Sequence, residues 1–116
     1  MAEIGGIQVW TKSIDEALEC LCNKSVVTLR CREAELSDEA GQKIAKALKL
    51  SSVTDLNLSD NELGLQTAKA LTSCLKNKHC RLQILNLENN QLGVEGAKQL
   101  AKALSSKMCK LTSLNL

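Results

Sequence analysis

The sequence predicts an α/β fold: a solenoid of stacked strand–helix units, with a parallel sheet on its concave side and helices on its convex side. The first observation is a repeat, because residues 53–64 align without gaps with residues 82–93, at an offset of 29. In each copy, leucines alternate with period two, as in a half-buried strand, and apolar residues three and four apart follow, as in a helix. The second observation is composition, because the 116 residues include 21 leucines and a single aromatic residue, Trp10. Repeated layers of stacked units favour such uniform, mid-sized side chains.

Residues 1–25 do not match the repeat and are predicted to be an N-terminal capping segment with a helix. Ser13 and Glu16 have the spacing of a capping box, which indicates a helix that begins there and runs to about Asn23. Residues 7–10 are expected to form a short strand before this helix. We interpret Trp10 as a plug over the exposed end of the core, and a binding anchor is the alternative.

Three strand–helix units and one partial unit follow the capping segment. Their predicted bounds are 26–52, 53–81, 82–110 and, for the partial unit, 111–116. In the unit 26–52, Cys31 takes the place of a buried strand leucine and Ala34 takes the place of an asparagine. This unit is therefore expected to be less regular than the two that follow it.

Asparagines recur where the chain leaves the strand in the two regular units. Asn61 and Asn90 lie 29 residues apart, three residues after the second strand leucine. A short amide at such a turn can bond to backbone groups that the sheet leaves free, and stacked units allow these bonds to pass between neighbouring turns. We therefore expect both asparagines to be structural.

The pattern LxxLxLxxNxL resembles the leucine-rich repeat family, over about residues 26–116. The segment CRLQILNLENNQLG, residues 80–93, is similar to the subfamily of ribonuclease inhibitor and the NOD-like receptors. The resemblance implies a right-handed α/β horseshoe with about 28 or 29 residues per unit and a full α-helix on the convex side. It specifies a fold far more closely than a function.

Charge and hydropathy argue against two classes of partner. The formal net charge is +2, from 15 basic and 13 acidic residues, and a single aromatic residue is available for stacking. These numbers do not favour a nucleic acid. There is no apolar run of the roughly 20 residues that span a bilayer, so no membrane partner is predicted. The first residues include an acid and do not form a secretory signal, which favours a cytoplasmic location with free cysteines.

The six cysteines fit the repeat better than they fit a redox or metal site. Cys31, Cys80 and Cys109 occupy repeat positions of the core, and Cys74 lies where flanking units have alanine on a helix. His79 next to Cys80 is a weak metal signal, but no Cys-x-x-Cys pair exists. We predict neither a metal nor a cofactor.

Catalysis is poorly supported. The chain has one histidine, His79, and no recognisable nucleophile–histidine–acid set or glycine-rich phosphate loop. Four carboxylates lie near one another in repeat phase: Asp55, Asp60, Glu62 and Glu88. They could indicate acid–base chemistry, but they equally suit a polar binding face, so the chain is not predicted to be an enzyme.

The leading hypothesis is a protein–protein interaction module that binds a protein partner through the concave strand face. The outward strand positions of the template are Thr28, Arg30, Arg32, Asp55, Asn57, Ser59, Ile84, Asn86, Glu88, Ser113 and Asn115. Parallel strands about 4.8 Å apart would align four of these in a row, Arg30–Asn57–Asn86–Asn115. The arginines at one edge and the acids further along predict a face with two polarities.

Two alternatives stay open. The chain could be the N-terminal or capping part of a larger leucine-rich repeat sensor, effector or GTPase regulator, with no binding activity of its own. The strand at 111–116, with Leu114 and Leu116 facing inward, lacks a helix and a following unit. An exposed strand edge is a template for pairing, so self-association through this strand is a further expectation.

Overall fold

Strands and helices alternate throughout residues 6–116, the part of the chain that the computed structural model describes. The elements are β1 (Ile7–Trp10), α1 (Ile14–Cys22), β2 (Val26–Arg30), α2 (Asp38–Leu48), β3 (Asp55–Asn57), α3 (Leu65–Leu75), β4 (Ile84–Asn86), α4 (Gly93–Leu104) and β5 (Ser113–Asn115). The strands form one sheet in the order β1-β2-β3-β4-β5 with every neighbouring pair parallel. This arrangement confirms the predicted α/β solenoid.

The core lies between the sheet and the helices. Leu29, Leu56, Leu85 and Leu114 are direct neighbours across β2 to β5, and the first three are completely buried. The helix residues Ala68, Leu71 and Leu75 meet this layer from the other side. Helices pack about 8–10 Å apart whereas strands lie about 4.8 Å apart, so the helix layer is the longer one. We call the helix-free face of the sheet the concave face.

The N-terminal segment contributes a shortened strand–helix unit. Strand β1 pairs with β2 after a register shift at Ile7, which places Val9 beside Leu29. The Ser13 hydroxyl accepts a hydrogen bond from the Glu16 N–H at 3.2 Å, as the capping box predicts. The segment that does not match the repeat therefore still extends both the sheet and the helix layer.

Asn61 connects the turns of two units. It is 7% exposed, and its Oδ1 accepts hydrogen bonds from the N–H groups of Ala34 and Leu36, both at 3.0 Å. Its Nδ2 donates to the carbonyls of Cys31 and Leu58 at 2.9 and 3.0 Å. The expected structural role of this asparagine is confirmed.

The next turn repeats this arrangement around Asn90, whose Oδ1 accepts from the Leu63 N–H at 3.0 Å and whose Nδ2 donates to the Leu58 carbonyl at 2.9 Å. In the first unit, Glu33 and Glu35 both have positive φ, whereas Asp60 is the corresponding single residue in the next unit. The first unit is therefore less regular, as Ala34 led us to expect.

A carboxylate from one helix caps the next. Helix α3 follows Gly64, which has no side chain to accept its first N–H groups. Asp38 of α2 does so instead, because its Oδ1 accepts from the N–H groups of Gly64 and Thr67 at 2.9 and 2.8 Å. The Thr67 hydroxyl donates to the same oxygen at 2.6 Å. This contact joins α2 to α3 at their N-terminal ends.

The two leucines at the end of the sheet differ in burial. Leu114 is partly buried against the core, as its predicted inward facing requires. Leu116 lines a depression together with Leu87, Leu92 and Ala97, but it is 51% exposed because no element of residues 6–116 covers it. Within the same range, no helix has the length and apolar character that crossing a bilayer requires.

Candidate binding surface on the concave face

One row of five side chains crosses the concave face, one from each strand. The backbone register aligns Trp10, Arg30, Asn57, Asn86 and Asn115. Four of these positions match the row that the sequence predicts, and Trp10 adds a fifth. We call this set the central row.

Most of the predicted outward residues are accessible. Five are exposed, namely Arg32, Ile84, Glu88, Ser113 and Asn115, and four are half-buried, namely Arg30, Asp55, Asn57 and Asn86. Two predictions are wrong, because Thr28 is only 8% exposed and Ser59 only 4%. Thr28 is flanked by Gln8 and Asp55 on the neighbouring strands. The Ser59 carbonyl accepts a hydrogen bond from the Glu33 N–H of the preceding unit, which places Ser59 inside the turn.

The interpretation of Trp10 as a plug over the core is also wrong. Trp10 is 71% exposed, and the Cζ atom of Arg30 lies 5.2 Å from the centre of its ring. The cause is strand parity: Val9 pairs with Leu29 and points into the core, so Trp10 points to the concave face. The alternative of a binding anchor is thus the one compatible with its position.

A cationic concavity of about 290 Å³ surrounds Trp10 and Arg30. Its lining consists of Trp10, Thr11, Lys12, Arg30, Arg32 and Asn57, and we call it the cationic pocket. Arg32 is already paired, because its Nη2 lies 3.0 Å from Asp60 Oδ2 and 3.6 Å from Glu33 Oε1. Within residues 6–116, neither Lys12 nor Arg30 forms an ion pair with a carboxylate. This end of the face therefore has two cations available to a partner.

The asparagines of the central row have a fixed orientation. The Asn57 Oδ1 accepts from the Ser59 N–H, and the Asn86 Oδ1 accepts from the Glu88 N–H, both at 2.9 Å. An N–H can bond only to the oxygen of an amide, so these bonds assign each Nδ2 to the remaining side. Neither Nδ2 has an acceptor among the described residues, so both amides can donate to a bound molecule.

Next to the cationic pocket, a polar chain runs through Arg32, Asp60 and Asn89. The Asn89 Nδ2 donates to Asp60 Oδ1 at 2.8 Å, while Arg32 holds the other oxygen. Hydrogen bonds from Asn89 and Arg32 lower the pKa of Asp60 below its ordinary value. Asp60 is therefore a stable anion that neutralises Arg32 and divides the face into a cationic and a mixed part.

The structure brings together two of the four carboxylates singled out in the sequence. Asp60 and Glu88 line one depression together, whereas Asp55 and Glu62 are absent from it. Glu88 Oε1 accepts a hydrogen bond from the Asn115 Nδ2 at 2.7 Å. Within residues 6–116, no three His, Cys, Asp or Glu side chains group in a way that could hold a metal ion. The arrangement can bind polar groups.

Two thiols make contact inside the helix layer. The Sγ atoms of Cys74 and Cys80 are 3.4 Å apart, and both residues are 2% exposed. The hydrogen bond from Cys74 lowers the pKa of Cys80, and the same bond, with burial, raises the pKa of Cys74. Cys31 is also buried and Cys109 partly buried. These positions agree with the predicted role of the four cysteines in packing.

Three members of the cationic pocket, Trp10, Thr11 and Lys12, are absent from the face that the sequence predicts, although a binding anchor was the alternative for Trp10. Residues 1–25 lack the repeat pattern, so the repeat does not predict which of their side chains point outward. The sequence could have predicted the position of Trp10, because neighbouring residues of a strand point to opposite faces. Val9 pairs with Leu29 and points inward, so Trp10 must point outward. Lys12 follows the strand, and only the structure brings it beside Arg30.

Comparisons with known proteins address the fold. A family model described as leucine-rich repeat matches residues 49–71 and 78–101. No curated protein matches the chain. Among solved structures, 33 chains match, and one of them is leiomodin-1 actin-binding site 2. That structure is 23% identical over 88% of this chain, with a TM-score of 0.76.

The match to the leiomodin-1 structure is a likeness of fold. This chain covers 60% of that one, which is less than two thirds of its length. The family match includes β3, α3 to Leu71, β4 and most of α4, where the repeat is most regular. Residues 49–71 and 78–101 therefore resemble leucine-rich repeats, and residues 6–116 together have the fold of a leucine-rich repeat solenoid.

Proposed function

We propose that this chain is a protein-interaction module that binds a protein partner through its concave face. The central row carries the proposal, because it combines an exposed tryptophan, an arginine and three asparagines in register across five strands. Tryptophan and arginine are enriched among the residues that dominate binding energies at protein interfaces. The proposed contact residues are Trp10, Arg30, Arg32, Asp55, Asn57, Ile84, Asn86, Glu88, Ser113 and Asn115.

The geometry suits a partner segment that lies across the strands. From Trp10 to Asn115 the row spans four strand spacings, roughly 19 Å, which an extended segment of about six residues covers. The sheet supports these side chains rigidly, because their backbone groups are paired on both sides from β2 to β4. A partner therefore meets preorganised side chains and loses less conformational entropy on binding.

A capture experiment tests the concave face. We would change Arg30, Asn57 and Asn86 together to alanine and compare partner capture with that of the unchanged chain. The matched control changes Lys43, Lys69 and Lys102 to alanine, since these three residues are exposed on the helices of the convex side. Capture baits include a lysate and purified actin, because the similar leiomodin-1 structure is that of an actin-binding site.

We expect the concave-face variant to lose at least about tenfold in capture, which corresponds to about 1.4 kcal/mol, and the convex-face control to be unaffected. Both should keep the circular dichroism spectrum of the unchanged chain. Equal capture by the two variants, with intact spectra, would show that the concave face is not the binding surface.

Self-association through residues 111–116 is a second candidate, favoured by the unpaired outer edge of β5. Among residues 6–116, this strand pairs with β4 alone, and Leu116 next to it is 51% exposed. Such an edge can pair with a second copy of the chain. Light scattering of the 116-residue chain should show a dimer or larger species, and Leu116→Lys should shift it toward the monomer. A monomer at high concentration would contradict this proposal.

The organisation proposed from the sequence is a capping segment at 1–25 and units at 26–52, 53–81, 82–110 and 111–116, in the ribonuclease-inhibitor-type subfamily. The 29-residue period and the full helices α3 and α4 support it. An alignment of homologues with insertions inside the unit 53–81 would contradict these bounds. We also propose a cytoplasmic location, which cell fractionation would test.

A further inference from the structure

We propose that the cationic pocket binds an acidic peptide segment that also carries an apolar side chain. This inference rests on the proposed function, because it names the chemistry of the partner at the N-terminal end of the concave face. Trp10, Lys12 and Arg30 are the residues that would make the contacts.

Charge is the first argument. Lys12 and Arg30 have no ion pair within residues 6–116, although Arg32 beside them is held by Asp60 and Glu33. An arginine offers a planar fork that binds a carboxylate through two parallel hydrogen bonds. Because Arg32 is already neutralised, the unmatched positive charge is confined to the part of the pocket next to Trp10.

Hydrogen-bond direction is the second argument. The Asn57 and Asn86 oxygens each accept a backbone N–H, whereas both hydrogens of each Nδ2 lack an acceptor within residues 6–116, so these side chains offer more donors than acceptors to a ligand. Arg30 likewise donates and cannot accept. The row from Arg30 to Asn86 therefore matches a segment rich in acceptors, such as carboxylates and backbone carbonyls. It spans two strand spacings, about 10 Å, which is the reach of about three extended residues.

The exposed indole is the third argument. Trp10 is 71% exposed, and Arg30 lies over its ring at 5.2 Å. An apolar side chain of the peptide that covered the exposed part of the indole would remove apolar area from water. It would also exclude solvent from the ion pair between Arg30 and a carboxylate of the peptide, which strengthens that pair. An acidic residue next to an apolar one in the partner would satisfy both groups of the pocket.

Charges farther along the face make a nucleic acid the less suitable ligand. Asp60 and Glu88 line the depression that adjoins the cationic pocket. A phosphate backbone that followed the central row would meet these carboxylates after the first cations. A short acidic peptide can instead place its carboxylates on Lys12 and Arg30 and only its backbone carbonyls on Asn57 and Asn86.

The single tryptophan makes the test direct, because all indole fluorescence of this chain reports the pocket. The probe is a blocked peptide of sequence Glu-Asp-Leu-Asp-Glu, titrated at low ionic strength. The comparison probes are Gln-Asn-Leu-Asn-Gln, which is neutral, and a single-stranded oligothymidylate. The variant is Lys12→Gln with Arg30→Gln, and its matched control is Lys43→Gln with Lys69→Gln on the convex side.

We expect the acidic peptide to change the emission of Trp10 and to bind at least tenfold more tightly than the neutral one. The Lys12→Gln, Arg30→Gln variant should lose at least tenfold in affinity, and the control should stay within twofold. Added salt should weaken binding, because the contact is partly exposed. Equal binding of both peptides, tighter binding of the oligothymidylate, or no response to the acidic peptide would overturn the inference.

Two outcomes separate the acidic chemistry from the proposed function. If the acidic peptide does not bind but the Arg30, Asn57 and Asn86 variant still loses partner capture, the concave face is the binding surface and the acidic chemistry is wrong. If capture is unchanged in that variant, the proposed function itself is wrong.

Discussion

Single polar side chains complete the backbone hydrogen bonds that short strands leave open. Strand β3 has three residues, so the turn after it depends on Asn61 for bonds to Ala34, Leu36, Cys31 and Leu58. These donors and acceptors lie away from water, where an unmade hydrogen bond costs about 1–3 kcal/mol. The stability of two neighbouring turns therefore depends on the side-chain amide of Asn61.

Replacing Asn61 by alanine should lower the free energy of unfolding by about 2–4 kcal/mol, because backbone groups in two units lose their partner together. Urea denaturation measures this change. Gln91→Ala is the matched control, since that exposed side chain lies in the equivalent turn region of the next unit. A loss below about 1 kcal/mol for Asn61→Ala would show that water replaces the amide.

Sequence reasoning at this scale succeeded for the recurring asparagines and failed for residues whose exposure depends on how neighbouring strands and turns pack. Asn61 and Asn90 recur at 29 residues, which marked them as structural before any contact was known. Trp10 has no counterpart in another unit, so its facing depended on how β1 pairs with β2. Thr28 and Ser59 follow the outward period, but neighbouring strands and a tight turn bury them.

The groups that cap the first N–H groups of a helix come from a neighbouring helix as well as from the residue before the helix. Ser13 and Ser37 cap their own helices, whereas α3 begins after Gly64 and takes its cap from Asp38. A Cβ at Gly64 would lie 3.2 Å from the Asp38 Oδ2, so glycine leaves room for this carboxylate. The sequence identifies Asp38 as an acid at the start of α2, but its role for α3 depends on how the two helices pack.

Asp38→Ala should reduce stability by about 1–2 kcal/mol at neutral pH, as loss of an N-cap does. Burial acts to raise the pKa of Asp38, but hydrogen bonds from Thr67, Gly64 and Gln66 outweigh it and lower that pKa. A lowered pKa means that the stabilisation is complete above the ordinary value near 3.8 and is lost as the pH falls through the folded value.

Urea denaturation at several pH values checks both parts of this prediction. The difference between the unchanged chain and Asp38→Ala should be constant at neutral pH and should shrink below about pH 4. Glu39→Ala is the control, because its carboxylate lies in the same first turn of α2 and is exposed. A difference that stayed constant into strong acid would contradict the role of the ionised carboxylate.

The close approach of α2 and α3 predicts a second element-scale effect. A Cβ on Gly41 would overlap the Thr67 hydroxyl and lie 2.7 Å from Leu63 Cδ2. Alanine is the better helix former by about 1 kcal/mol, but overpacking costs about 1–3 kcal/mol, so Gly41→Ala should be destabilising on balance. Thermal unfolding measures this change in stability. Lys43→Ala, on the exposed side of α2, is the control. A rise in the melting temperature of Gly41→Ala would show that the helices separate freely.

Across the whole molecule, stability should fall from the middle of the stack to its ends. Each unit contacts only its neighbours, so β3 is supported on both sides and β5 on one. Amide hydrogens of β3 should therefore exchange at least about tenfold more slowly than those of β5 in native-state hydrogen exchange. Uniform protection along the sheet would mean that residues 6–116 unfold as one cooperative unit.

The fold was predictable at this scale because a 29-residue period leaves one way to stack strands and helices. The row from Arg30 to Asn115 followed from aligning the units, although Arg30 and Asn57 are 27 residues apart and the later members of the row are 29 apart. The repeat pattern did not predict that Trp10, Lys12 and Arg30 form one pocket. It lies where the aperiodic segment meets the first unit, and the sequence separation of the paired residues Val9 and Leu29 differs from the repeat length.

The bond from Asp38 to the start of α3 also determines how this protein could be lengthened by design. The residue that corresponds to Asp38 in the next helix is Leu65, which has no carboxylate to offer to α4. Copies of residues 82–110 should therefore be insertable in tandem, because α4 already begins without a cap from its neighbour. Copies of residues 53–81 would each need an aspartate grafted onto the helix before them.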